Sequence, residues 1–144
     1  MPQSHAMRAL VQRVSRAAVR AGDETVGAIG PGLLVLLGVT HGDGPAEAER
    51  LARKVLGLRV FPDPAGQMNE PLGDREILCV SQFTLYGDTR RGNRPSFVAA
   101  AAPGHAEPLY ELFCTRTGAA RGRFGARMEI ELTADGPVTV MLEA

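Results

Sequence analysis

Leu33-Leu34-Val35-Leu36-Leu37-Gly38-Val39 is apolar on both parities. A strand with one wet face alternates, so this run predicts a central strand covered on both sides. Ile77-Leu78-Cys79-Val80 repeats the pattern inside a predicted strand from Glu76 to Thr84. Its end turns polar, Ser81-Gln82-Phe83-Thr84, before Gly87-Asp88 breaks it with turn chemistry. Arg8 to Ser15 alternates loosely, as does Met128 to Thr133, and both read as strands with one apolar face. Ala17 to Ala21 and Glu24 to Ile29 flank Gly22-Asp23, a hairpin signal. Val138 to Leu142 is the last predicted strand, and Ala134-Asp135-Gly136-Pro137 separates it from the one before.

Two stretches follow the helical period instead. From Pro45, a residue suited to the first helical position, Leu51, Val55 and Leu58 form a stripe with Ala48 and Ala52 beside it. Glu47 and Glu49 fall early, Arg53 and Lys54 late, as the helix dipole favours. A second helix runs from Pro103 to a Gly118 cap, with Leu109, Leu112 and Phe113 inward and Tyr110 at the edge. The segment from Phe61 to Arg75 is turn-rich and polar. The pattern predicts an α+β protein, strand-rich, with mostly antiparallel sheets and two helices.

At 144 residues the chain suggests one domain, spanning 7–144, with Met1 to Ala6 as a patternless tail. Basic and acidic residues balance at 16 each, so a globally basic nucleic-acid binder is not indicated. Every basic residue but Lys54 is arginine, and arginine contacts phosphate bidentately and stacks on bases where lysine cannot. Three arginines crowd one loop, Asp88-Thr89-Arg90-Arg91-Gly92-Asn93-Arg94-Pro95, directly after the polar strand end. That position favours phosphate contact over a merely solvated loop. Arg121, Arg123 and Arg127 surround Phe124, which suits either base stacking or plain core. The chain shows no secretion signal and no apolar run long enough to span a bilayer, which predicts a soluble cytoplasmic protein.

Several chemistries lack their residues. Cys79 and Cys114 have no metal spacing and read as buried thiols. No phosphate-binding glycine loop or serine nucleophile elbow is present. His41 sits before a helix with no acidic or nucleophilic neighbour, and reads as a loop histidine. Thr84 is a candidate nucleophile, but the sequence marks no base for it. The residues alone lead to a polar strand end beside an arginine-rich loop.

Six stretches go further: Val11-Gln12-Arg13-Val14-Ser15, Gly30 to Val39, Ser81 to Asp88, Arg94-Pro95-Ser96-Phe97, Gly122-Arg123-Phe124-Gly125 and Gly136-Pro137-Val138-Thr139. In this order, from about Met7 to the C-terminus, they resemble the D-aminoacyl-tRNA deacylases. The chain departs from that family at Ala134, where Asn is expected before Asp-Gly-Pro. The resemblance implies the fold of that family and a homodimer without metal or other cofactor. It implies hydrolysis of the ester joining a D-amino acid, or mischarged glycine, to the terminal ribose of tRNA. It further implies a cis Gly136–Pro137 peptide that enters the partner's site and turns L-substrates away. Ser81 and Gln82 would shape the pocket for the terminal adenosine, and Arg13 would anchor the Gly136-Pro137 turn through its five donors. Phe124 and Arg91 would meet the substrate. Catalysis is left with two readings. Either Thr84 attacks, or a backbone amide near Phe83 stabilises the oxyanion while the ribose 2′-hydroxyl helps activate water; the missing base favours the second. Two competing expectations are a non-catalytic RNA- or DNA-binding module and an editing domain acting on L-substrates.

Overall fold

The computed structural model describes residues 6–144; the predicted tail lies, apart from Ala6, outside the described residues. Strand β1 (Arg8–Ala21) is the spine. One edge of it pairs antiparallel with β3 (Gly32–Gly38) over Arg8 to Val14 and with β2 (Glu24–Ile29) over Ala17 to Ala21. It also pairs with β8 (Glu129–Glu143) from Arg8↔Glu143 to Arg20↔Glu129. The sequence suggests two short strands here, yet β1 is continuous, because β8 supplies a partner across the gap at Ser15 and Arg16.

Beyond β3 the sheet turns parallel. Strand β6 (Glu76–Ser81) pairs with β3 from Gly32↔Glu76 to Leu37↔Ser81, and β7 (Ala120–Arg121) pairs with β6. The sheet is therefore mixed, and its longer parallel pair, β3 with β6, consists of the two strands that are apolar on both parities. Leu33, Val35, Leu37, Ile77 and Cys79 face a core closed by α1 (Pro45–Gly57) and α2 (Pro103–Thr117). Leu34, Leu78 and Val80 face a second core with Val14, Ala17 and Val19 of β1.

The helices match their sequence signals. Gly44 donates its N–H to the Glu47 carboxylate at 2.6 Å ahead of Pro45. Gly118 ends α2 in the left-handed region at φ 68°. Tyr110 is not at an edge: it is 1% exposed, and its hydroxyl donates to the Cys79 carbonyl at 2.8 Å. That bond lets a polar tip lie in the core. Two thiols, Cys79 and Cys114, are buried beside it, and burial pushes the Cys79 thiol well above its ordinary pKa. The turn-rich segment after α1 contains a small hairpin, β4 (Phe61–Pro62) with β5 (Met68–Glu70).

Candidate active site

Strand β6 stops at Ser81, not Thr84. Its neighbour β3 ends at Gly38, and the last bond between them is Gln82 N–H to the Leu37 carbonyl at 2.8 Å. Past that point the chain has no strand to pair with, so it satisfies its own groups. Phe83–Tyr86 close into a single 3-10 turn, with Leu85 N–H to Gln82 at 3.3 Å and Gly87 N–H to Thr84 at 3.0 Å. The amides of Phe83 and Thr84 open this turn, where a helix has no acceptor of its own for them.

The turn is pinned from beneath. Tyr86 is 3% exposed. Its hydroxyl donates to the Gly38 carbonyl at 3.2 Å and meets the Ala6 carbonyl. The Arg8 guanidinium lies 4.9 Å from the Tyr86 ring centre and donates to the Leu85 carbonyl at 3.1 Å. Burial raises the Tyr86 phenol well above its usual pKa, so it remains a donor. Gly38 lets the turn come close: a β-carbon there would stand 2.8 Å from Tyr86 Cε2 and 3.3 Å from the Gln82 carbonyl oxygen.

Above the turn lies a cavity of about 610 Å³. Ser81, Gln82 and Phe83 line it together with Val39, Ala100 and Ala101 and with Phe124, Ala126 and Met128. The wall is tied together by Ala101 N–H to Val39 at 2.9 Å and by the Thr40 hydroxyl to the Ala99 carbonyl. Asp43 is 6% exposed and accepts the N–H groups of Thr40 and Met7 at 2.8 and 3.1 Å. Burial raises its carboxyl pKa.

None of the described lining residues is an acid or a base. Thr84 is exposed and lies outside the lining; its hydroxyl accepts a bond from the Gln82 amide. His41 is also outside, donating to the Val98 carbonyl at 2.6 Å. Phe124 lines the cavity while its ring packs 5.8 Å from Tyr110.

Phe97 has no role assigned from sequence, yet its ring meets Phe83 edge-on at 5.2 Å and lines the same cavity. Its signal is an aromatic residue soon after the polar strand end. Ala99 to Ala102 give another: small residues in a segment with no helical pattern.

Gly136 and Pro137 are not among the lining residues. Gln12 pairs with Thr139 and Val14 with Ala134, so residues 135–138 bulge out opposite Arg13 alone. Strand β8 therefore runs through a stretch that reads locally as a turn. The Gly136–Pro137 peptide is cis, and Gly136 has φ 120°, which only glycine adopts freely. Arg13 holds the excursion: its side chain, 13% exposed, lies 3.2 Å from the Asp135 carboxylate and donates to the Asp135 carbonyl at 3.2 Å and the Val60 carbonyl at 2.6 Å.

Arg91 lines a different cavity, with Arg90, Arg94 and Asp88. No helix of the described residues is long and apolar enough to cross a membrane.

A family model described as D-Tyr-tRNA(Tyr) deacylase matches residues 10–143. A protein named D-aminoacyl-tRNA deacylase from Dehalococcoides mccartyi is 55% identical over 145 aligned positions, covering 96% of this chain and 95% of the relative. A solved structure titled c-Myc DNA unwinding element binding protein superposes with a TM-score of 0.89 at 41% identity, covering 95% of this chain and 98% of that one. A probable eukaryotic D-amino acid tRNA deacylase superposes with a TM-score of 0.83 at 18% identity, over 96% and 100% of the two chains, which is a likeness of fold.

Proposed function

The chain belongs to the D-Tyr-tRNA(Tyr) deacylase family, and from that premise we propose that it hydrolyses the ester joining a D-amino acid to the 3′-terminal ribose of tRNA. Water adds to the ester carbonyl, the bond to the ribose oxygen breaks, and the hydroxyl leaves with the proton. The observation that carries this reading is a cavity beside Ser81-Gln82-Phe83 with no titratable side chain in its described lining. Acid–base chemistry there must come from backbone, water or substrate. The Phe83 amide then stabilises the oxyanion and the neighbouring ribose 2′-hydroxyl helps activate water. Ser81 and Gln82 shape the wall for the terminal adenosine, and the exposed Phe83 ring, 57% accessible and braced by Phe97, offers a base a stacking surface. Thr84 is not the nucleophile in this reading.

The enzyme works as a homodimer. Among the described residues β8 pairs only with β1, and it exposes Leu132 and Met141; an open apolar strand edge invites a partner. Residues 135–138 lie outside their own chain's cavity and reach that of the second copy. There the Gly136 and Pro137 carbonyls receive the substrate's α-ammonium. A D-side chain points outward, and an L-side chain runs into the carbonyls. Glycine, having no hand, is accepted.

Hydrolysis of D-, L- and glycyl-tRNA side by side tests the reaction. Cleavage of the D- and glycyl esters with the L-ester spared is the expected result. L-ester cleavage would instead favour an editing domain, and binding without cleavage a non-catalytic module. Mixed subunits test the shared site. Gly136→Val, which crowds the excursion, and Ala126→Trp, which fills the cavity, are each inactive alone. A verified heterodimer of the two regains one site. No recovery would refute the crossing.

A further inference from the structure

The chain carries no net charge, yet its cations are unevenly committed. Arg121 meets Glu111, Arg123 meets Glu24, Arg116 meets Glu49, and Arg13 and Arg20 meet acidic residues on β8. Arg90 is likewise occupied, chelating the Asp88 carboxylate at 2.7 to 3.1 Å. Its neighbours Arg91 and Arg94 make no ion pair or hydrogen bond among the described residues. They line a second cavity of about 560 Å³ with Asn93 and Ser96.

Two features place and shape that cavity. Asp88 and Ser96 exchange N–H to carbonyl bonds, both at 2.8 Å, so residues 89–95 form a loop closed at its base. Ser96 and Val98 line the arginine cavity, while Phe97 between them lines the first cavity and braces Phe83. The two cavities thus share one residue's thickness of wall. With Asp88 neutralised by Arg90, the loop's three arginines against one aspartate leave two positive charges facing solvent there.

We infer that Arg91 and Arg94 form a phosphate-binding site for the single-stranded RNA that runs from the terminal nucleoside into the acceptor stem, with Asn93 and Ser96 as additional hydrogen-bond donors. The site rests on the deacylase reading, since that reading puts the terminal adenosine against Phe83. It also sorts the basic loops. Arg91 and Arg94 meet the RNA backbone, while Arg90, Arg121 and Arg123 hold the protein's own carboxylates. Arginine forks suit phosphate oxygens, and such contacts fix the position of a strand without reading its sequence.

The experiment uses uncharged tRNA, D-aminoacyl-tRNA and the D-aminoacyl ester of adenosine, which lacks every internucleotide phosphate. Arg91→Gln/Arg94→Gln is compared with Arg53→Gln, at an arginine on α1 that makes no ion pair or hydrogen bond among the described residues and lines neither cavity. In direct binding of uncharged tRNA, the slope of log affinity against log salt should fall by about 0.7 for each phosphate the double variant no longer neutralises. The ratio of kcat/KM for D-aminoacyl-tRNA to that for the adenosine ester should drop roughly tenfold, mostly in KM. Arg53→Gln should change neither. An unchanged slope and ratio in the double variant would overturn the phosphate site. Failure of the wild-type protein to cleave either ester would overturn the deacylase reading instead, and the binding slope would still decide the site.

Discussion

Two stretches break the regular backbone of this protein, the turn Phe83–Tyr86 and the excursion 135–138, and they are held in opposite ways. The turn is fixed from inside its own chain, by a buried tyrosine, an arginine on its ring, and a glycine that lets them approach. Its upper side forms a cavity wall. The excursion is exposed from Asp135 to Pro137, is held by Arg13 and by the partly buried Val138 against the core, and lines neither cavity described above. A catalytic surface needs atoms that do not move. A surface offered to another subunit needs its groups turned outward. The proposed shared site accounts for a first region braced throughout and a second whose Asp135–Pro137 tip is left open.

The sharpest way to break the contrast is Gly38→Ala. The new methyl group would press on Tyr86 and Gln82, lifting the turn. Overpacking of this kind costs about 1–3 kcal/mol, and misplaced catalytic groups cost on the order of a hundredfold in rate. Circular dichroism should show the fold retained while single-turnover deacylation collapses. A rate within about threefold of wild type would mean the turn's height is unimportant.

Arg13→Ala should come next. It removes the donors to Asp135 and Val60 and leaves a poorly exposed site without its charge. A loss of about 1.5–3 kcal/mol in denaturant unfolding is expected. Deacylation should fall through kcat, with Arg13→Lys restoring part of it. Equal stability with and without the guanidinium would show that the β8 ladder alone holds the excursion.

Tyr86→Phe is milder. It keeps the ring under Arg8 and removes one hydroxyl, for about 1 kcal/mol and a several-fold drop in kcat at constant KM. A KM effect alone would move the role of Tyr86 from positioning the turn to binding.

The smallest effect lies in the exposed arginine loop, which resembles the excursion in its accessibility and not in its bonding. Hydrogen bonds from Arg90 hold the Asp88 carboxyl at about 2, below its ordinary 3.8. A depressed carboxylate contributes stability that is fully present above its unfolded pKa and is lost as pH falls through the folded one. The Arg90 contact should therefore be constant above about pH 5 and fade towards about pH 2. Carboxyl NMR should find the Asp88 midpoint near 2, returning towards 3.8 in Arg90→Gln. A normal midpoint in the wild-type protein would show the chelate to be absent in solution.

The sequence made some of this legible. β3 and β6 announce themselves because burial on both faces erases alternation, a local property. The end of β6 does not, since it is set by where β3 stops, and Gly38 lies far from Ser81 in the chain. Asp-Gly-Pro reads as a turn between two strands; only the pairing of β1 on both sides of Arg13 reveals a single strand with an outward loop. Tyr110 looked peripheral because its acceptor, the Cys79 carbonyl, belongs to another element. The arginines could not be sorted into spent and free, because Glu24 and Glu111 are brought to Arg123 and Arg121 only by folding.

The excursion leaves and rejoins one ladder, with Val14↔Ala134 below it and Gln12↔Thr139 above. It therefore behaves as a cassette. Residues 135–137 are open to exchange as a block, with Arg13 and the core-packed Val138 as fixed clasps and the flanking register as the frame. On the proposed shared site, selectivity at the second copy's cavity and the chemistry of the Phe83 turn would lie on separate segments of one chain, so an engineer, or a lineage under selection, could revise one while the other is held constant.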